Sequence, residues 1–249
     1  MASRRKKKRH LGSLLFVLAV VVIGGGAYVR YNPDAIELIF PNKGPVNVET
    51  YASIEELPEY SGDPYVYIDD GLSELNEVAV WEYGYESYTS DELGRCSTAE
   101  AMVGVETMPT DDREDISSVT PTGWANKRYD SNIVDGGWLY NRCHLIGFQL
   151  TGENDNAENL ITGTRYLNID GMLPFENMID DYVDESGNHV MYRVTPVYEG
   201  NNLVADGVIM EAYSVEDAGT GINFDVYCYN VQPGIEIDYA TGDNWLAAK

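Results

Sequence analysis

Gly136-Gly137-Trp138-Leu139-Tyr140-Asn141-Arg142-Cys143-His144, then Asn159-Leu160-Ile161-Thr162-Gly163-Thr164-Arg165-Tyr166-Leu167-Asn168, then Glu176: this is the stretch whose reading decides the fold. The glycine pair reads as a turn and Trp138-Leu139-Tyr140 as the entry to a strand, which puts His144 at or near the strand's end. On a strand Arg142 and His144 share one face and Cys143 points to the other. That divergence argues against a Cys143/His144 dyad, and Cys143 is read as a core or disulfide residue. Helical periodicity is clear over 175–183. If the helix already includes Asn168, the eight residues to Glu176 span roughly 12 Å along its axis, too far for both to bind one ion directly. Pro174 can instead open the helix, with Asn168 in the segment before it, and both arrangements stay open.

Downstream, 188–197, 203–212 and 222–231 are rich in β-branched and aromatic residues and are separated by the turns Gly200-Asn201-Asn202 and Asp217-Ala218-Gly219. They read as an antiparallel meander. Upstream, 81–88 is aromatic and strand-like, and Tyr65-Val66-Tyr67-Ile68 is a strand stopped by Asp69-Asp70-Gly71. The expected class is α+β with a central antiparallel sheet and flanking helices.

Six basic residues, Arg4 to Arg9, precede an uncharged run of 19 residues from Leu11 to Val29 that closes at Arg30. A span of roughly 20 apolar residues crosses a bilayer, and the basic flank places the N-terminus in the cytoplasm. The chain therefore divides into a basic flank (1–10), a transmembrane signal anchor or signal peptide (11–30), a stalk with five prolines and a short helix near 53–57 (31–64), and an exported domain (65–249). The expected location is the cell membrane, single-pass with the C-terminal domain outside, or secreted if the segment is cleaved.

Formal net charge is −25, yet the first 31 residues carry seven Lys/Arg and no acid, leaving nine basic against 41 acidic residues. Such a surface repels nucleic acid at long range. Five of the nine cations, Arg95, Lys127, Arg128, Arg142 and Arg165, nevertheless lie before, inside or just after the central stretch, which leaves room for a cationic cleft in an acidic shell. Lys127-Arg128-Tyr129 joins two cations to an aromatic ring, a set that can grip a nucleic-acid backbone and stack a base. Asp111-Asp112-Arg113-Glu114-Asp115 lacks the ligand spacing and glycine of an EF-hand and reads as a solvated acidic loop. Three cysteines without a Cys-x-x-Cys exclude a structural zinc site, and one disulfide among Cys96, Cys143 and Cys228 is open.

His144 is the histidine with a partner set. His10 lies in the basic flank and His189 in a turn. An imidazole with an ordinary pKa near 6.5 suits a general base, and the guanidinium forks of Arg142 and Arg165 suit phosphate oxygens. With Asn159, Asn168 and Glu176 at their spacings, the segment from about Leu93 onward resembles the DNA/RNA non-specific endonucleases with a ββα-metal core. Within that family it is most similar to the DNA-entry nucleases and streptodornase-like enzymes of Gram-positive bacteria. Their signature is Asp-Arg-Gly-His; here Asn141 replaces the aspartate and Cys143 the glycine.

The resemblance implies a Mg²⁺-dependent endonuclease for DNA and RNA with little sequence preference, Mn²⁺ being a substitute metal. It implies His144 as general base, Asn168 as the direct metal ligand and Glu176 as its support through water. It also implies that Asn159 aligns the histidine or its loop, and that Arg95 reaches the phosphate beside Lys127 and Arg128. The alternatives are an inactive nuclease fold that holds extracellular DNA or wall polymer, and an acidic envelope scaffold.

Overall fold

The computed structural model describes residues 50–51 and 56–248. The anchor, the flank and most of the stalk, including residues 53–55 of the helix expected near 53–57, lie outside the described residues. No helix among the described residues is long and apolar enough to cross a membrane.

Among the described residues, eleven strands and two α-helices follow in chain order: β1 (Thr50–Tyr51), β2 (Tyr65–Ile68), β3 (Glu86–Ser90), β4 (Cys96–Val103), β5 (Tyr140–His144), α1 (Phe148–Thr151), β6 (Leu160–Thr164), α2 (Leu173–Ser186), β7 (Val190–Val197), β8 (Gly207–Ser214), β9 (Asn223–Tyr229), β10 (Ile235–Ile237) and β11 (Asn244–Leu246). Seven form one sheet in the order β1-β2-β9-β8-β7-β4-β3. All its pairs are antiparallel except β1 with β2, which is parallel. The meander expected after the central stretch is β7-β8-β9. In the aromatic segment 81–88 the strand begins only at Glu86, after a turn at 83–84. The sheet also reaches upstream of Tyr65, because β1 lies in the stretch read as stalk, and Leu57 and Tyr60 pack against Ile68, Tyr227 and Tyr229.

Period-2 alternation gives the sheet two faces. Ala101, Tyr192, Ala212 and Phe224 are in register across β4, β7, β8 and β9, and all are buried. The two alanines flank the bulk of Tyr192. Against this face lies α2, whose Phe175, Ile179 and Val183 form a buried stripe with the four-residue spacing of one helix face. Phe175 packs edge-on to Tyr65 at 4.8 Å and against Phe224 at 4.9 Å between ring centroids. The opposite face carries a charged row, Glu100-Arg193-Glu211-Asp225, in register. Arg193 bonds Glu100 at 2.9 Å and Glu211 at 3.3 Å. Burial, with Glu211 and Asp69 beside it, pushes the Asp225 carboxyl up to about 8.

Beside the large sheet, β5 and β6 form a separate antiparallel pair that fixes the central stretch, His144 facing Leu160 and Asn141 facing Gly163. A π-helical turn, Leu167–Met172, runs directly into α2, with Pro174 in the first turn. Asn168 therefore stands on the same helical run as Glu176. Two strands, a loop and a helix thus bring 141–144, 168 and 176 together.

Candidate active site

His144 ends β5 and is buried. Its Nε2 lies 2.8 Å from the Asn154 carbonyl oxygen. A carbonyl only accepts, so Nε2 carries the proton and Nδ1 keeps its lone pair. Arg113 donates to that lone pair from Nη2 at 3.3 Å. Burial, and next the Arg113 charge, lower the imidazole pKa from 6.5 to about 4. The ring is neutral at physiological pH, with its basic nitrogen turned toward an exposed guanidinium.

Glu176 sits across from it at the start of α2. Its carboxylate lies against Gly147, where an added Cβ would approach Oε1 to 2.7 Å, so only glycine admits it. Oε1 is buried without a hydrogen-bond partner. Desolvation raises the Glu176 pKa to about 7, partly offset by the Gly147 N–H and by Arg113. A buried carboxylate oxygen left unsatisfied is costly, and a cation or its water would satisfy it.

Asn168 reaches the same region from the π-helical turn. Its Oδ1 accepts the Cys143 thiol at 3.1 Å, and its Nδ2 points to Asn141 Oδ1 at 3.4 Å. The amide is thereby oriented, oxygen toward the β5 side. Cys143 does point away from the Arg142 side, as alternation requires, but what it meets there is Asn168. None of the three cysteines forms a disulfide, and all are buried. Gly163, diagonal to it on β6, makes room for Cys143, since a Cβ there would lie 2.6 Å from the cysteine's Cβ.

Asn159 is fully buried and staples the loop after His144: its Oδ1 accepts from Ile146 N at 2.9 Å and its Nδ2 donates to Ile146 O at 3.0 Å. Arg165 donates to Asp135 at 2.9 Å and to Asn141 Oδ1 at 3.4 Å, which puts it one residue away from Asn168.

Of the other expected cations, Arg142, Arg95 and Lys127 are bound by the fold itself. Arg142 donates to the carbonyls of Val119 and Ser117 and stacks on Trp124 at 4.6 Å, pinning that loop to β5. Arg95 pairs with Asp91 at 2.7 Å, bonds the carbonyls of Gly200 and Asn202, and lies over Tyr198. Lys127 donates to Asn244 O at 2.7 Å. Arg128 lies over Trp138. Sequence reasoning missed Arg113 altogether, because four acidic neighbours gave its segment the signature of a solvated loop. Its lone positive charge in that run was the available signal.

A buried neutral imidazole at a strand end, an amide oxygen and an unsatisfied carboxylate on one helical run, and nearby arginines are groups that can serve the hydrolysis of an anionic ester. The chain belongs to the DNA/RNA non-specific endonuclease family, whose sequence model matches residues 75–216. A deoxyribonuclease of Streptococcus dysgalactiae subsp. equisimilis is 29% identical over 129 residues, which is 50% of this chain and 36% of that relative. The match thus spans little more than a third of that relative's length. The crystal structure of NucA from Streptococcus agalactiae with magnesium bound is similar with a TM-score of 0.68 and 28% identity, covering 78% of this chain and 94% of that one. The Sda1 nuclease with bound zinc, at 23% identity and a TM-score of 0.59 over 79% of this chain and 99% of that one, shares the fold.

Proposed function

We propose that the chain is a metal-dependent endonuclease with a ββα-metal core, cutting DNA and RNA with little sequence preference. The observation that carries the reading is Arg113 beside both neutral His144 and the partnerless Glu176 oxygen, with Asn168 bonded to Cys143, the residue before His144. Asn168 Oδ1 would hold a divalent ion directly, with Glu176 supporting it through water. These are hard oxygen donors, suited to Mg²⁺ and to Mn²⁺. The bound ion would supply Lewis acidity at the phosphate and the departing oxygen.

His144 Nδ1 takes a proton from the attacking water, and Nε2, fixed on Asn154 O, keeps the ring in the required tautomer. Arg113 and Arg165 engage phosphate oxygens, and transfer of Arg113 from His144 to phosphate frees the base. Asn159 and Arg142 hold the two loops on either side of β5. The magnesium-bound NucA structure supports the metal, and the streptococcal deoxyribonuclease supports DNA as a substrate. The basic flank and apolar run support anchoring through residues 11–30, with the domain outside the membrane.

Nicking of supercoiled plasmid and degradation of RNA by the purified chain, with Mg²⁺ and again with EDTA, test the proposal. Cutting of both in Mg²⁺ and of neither in EDTA is the expected result. Intact substrates across a range of divalent ions would remove the enzymatic reading.

A further inference from the structure

Seven Lys and Arg side chains occur among the described residues. Arg95 and Arg193 are ion-paired on the large sheet and its edge. The remaining five all attach to β5 or to the residues leading into it. Arg113 touches His144, Arg142 is within the strand, and Arg165 touches Asn141. The Lys127 carbonyl accepts from Leu139 N at 3.1 Å, and the Arg128 guanidinium lies 5.5 Å from the ring centroid of Trp138. One short segment therefore gathers most of the positive charge of an acidic domain.

Arg128 stands apart from the other four. Lys127 and Arg142 are held by backbone carbonyls, Arg165 by Asp135 and Asn141, and Arg113 by His144. Arg128 is exposed and has no ion pair among the described residues, in a chain where carboxylates outnumber cations 41 to 16. The indole beneath it is 51% exposed. Trp245, exposed to a similar degree, has its indole N–H committed to Glu236 at 2.7 Å. An open aromatic ring with a free guanidinium at its face has what a nucleotide offers a partner for: a π-surface for the base and a charge for the phosphate.

Position supports the same conclusion. Trp138 precedes Asn141 by three residues, about 10 Å along an extended chain. Arg165 stands between them, its backbone N–H bonded to Leu139 O at 2.8 Å. Arg128 and Trp138, then Arg165, then Asn141 and Asn168 form a continuous line toward the base. We infer that Arg128 and Trp138 form a nucleotide subsite at one end of the cleft, where Trp138 stacks an unpaired base and Arg128 takes an adjacent phosphate. The inference rests on the nuclease reading and adds to it a preference for single-stranded or frayed substrate. A base inside a duplex has no free face to offer the ring.

Fluorescence anisotropy of a labelled single-stranded oligonucleotide, titrated with the full chain in EDTA, reads the subsite apart from cutting. Trp138→Ala is expected to weaken binding about 10-fold, in the range of one lost base–aromatic stack, while Trp138→Phe keeps most of the affinity. Arg128→Gln is expected to lower the slope of log K against log salt by about one, as for one lost phosphate contact. Equal binding by Trp138→Ala and the parent chain overturns the subsite, as does Trp138→Phe being as damaging as alanine. A parent chain that binds with these effects yet never cuts in Mg²⁺ leaves the subsite standing and removes the nuclease reading.

Discussion

His144→Ala is expected to abolish plasmid nicking, with a fall of roughly 10²–10⁴-fold, the contribution of a positioned general base, while the chain still melts cooperatively. No other described group brings a basic imidazole lone pair, neutral at pH 7, to this position. The pH profile of the parent chain adds an independent check. Burial and Arg113 hold the imidazole at about 4 rather than 6.5, so the acid limb of kcat/KM belongs well below 6.5. The same shift has a stability counterpart. A histidine whose pKa is depressed on folding stabilises fully above its unfolded value, and that contribution is lost as pH falls from about 6.5 toward 4. Removing the imidazole removes that loss, so the melting deficit of His144→Ala against the parent narrows on acidification. Nicking by the variant at the parental rate, or an acid limb at 6.5, would contradict the assignment.

Asn168→Ala is the second large effect, expected to reduce cutting on the order of 10²–10³-fold, as when one preorganised electrostatic group is deleted from a reaction centre. The Mg²⁺ concentration for half-maximal activity should rise along with it. Asn168→Asp keeps an oxygen in place and adds a charge, so it should restore metal binding while losing the contact to Asn141. A Mg²⁺ titration of nicking for the three proteins decides the matter. An unchanged midpoint in Asn168→Ala would place the ion elsewhere, with Glu176 the next residue to vary.

Much of this architecture could be read from residue order because it obeys local periodicity. The alternation in 188–197 and 222–231 foretold β7 and β9, and Phe175, Ile179 and Val183 foretold α2. The strand reading of 140–144 put His144 at an end and Cys143 on the opposite side. What escaped was set by tertiary contact. β1 is a two-residue parallel edge, too short for any pattern. Whether Asn168 belonged to the helix depended on a π-helical turn that no periodicity signals. Arg142, Arg95 and Lys127 have the composition of phosphate clamps but meet carbonyls and Asp91, whereas Arg113 has the composition of a solvated loop and meets His144. An arginine's occupation depends on what the fold sets opposite it.

The concentration of cations along β5 within an otherwise acidic domain also shapes how ionic strength acts on this protein. A basic nucleic-acid binder loses affinity steadily as salt displaces it. Here the field felt at a distance is repulsive, with a chain charge of −25, and only a polymer already in the cleft meets attraction. Screening beyond about 10 Å at 0.1 M salt removes the long-range repulsion first and weakens direct arginine–phosphate contacts later. The rate of cutting should therefore climb from very low salt to a maximum before it declines, the acidic shell being screened before the arginines are.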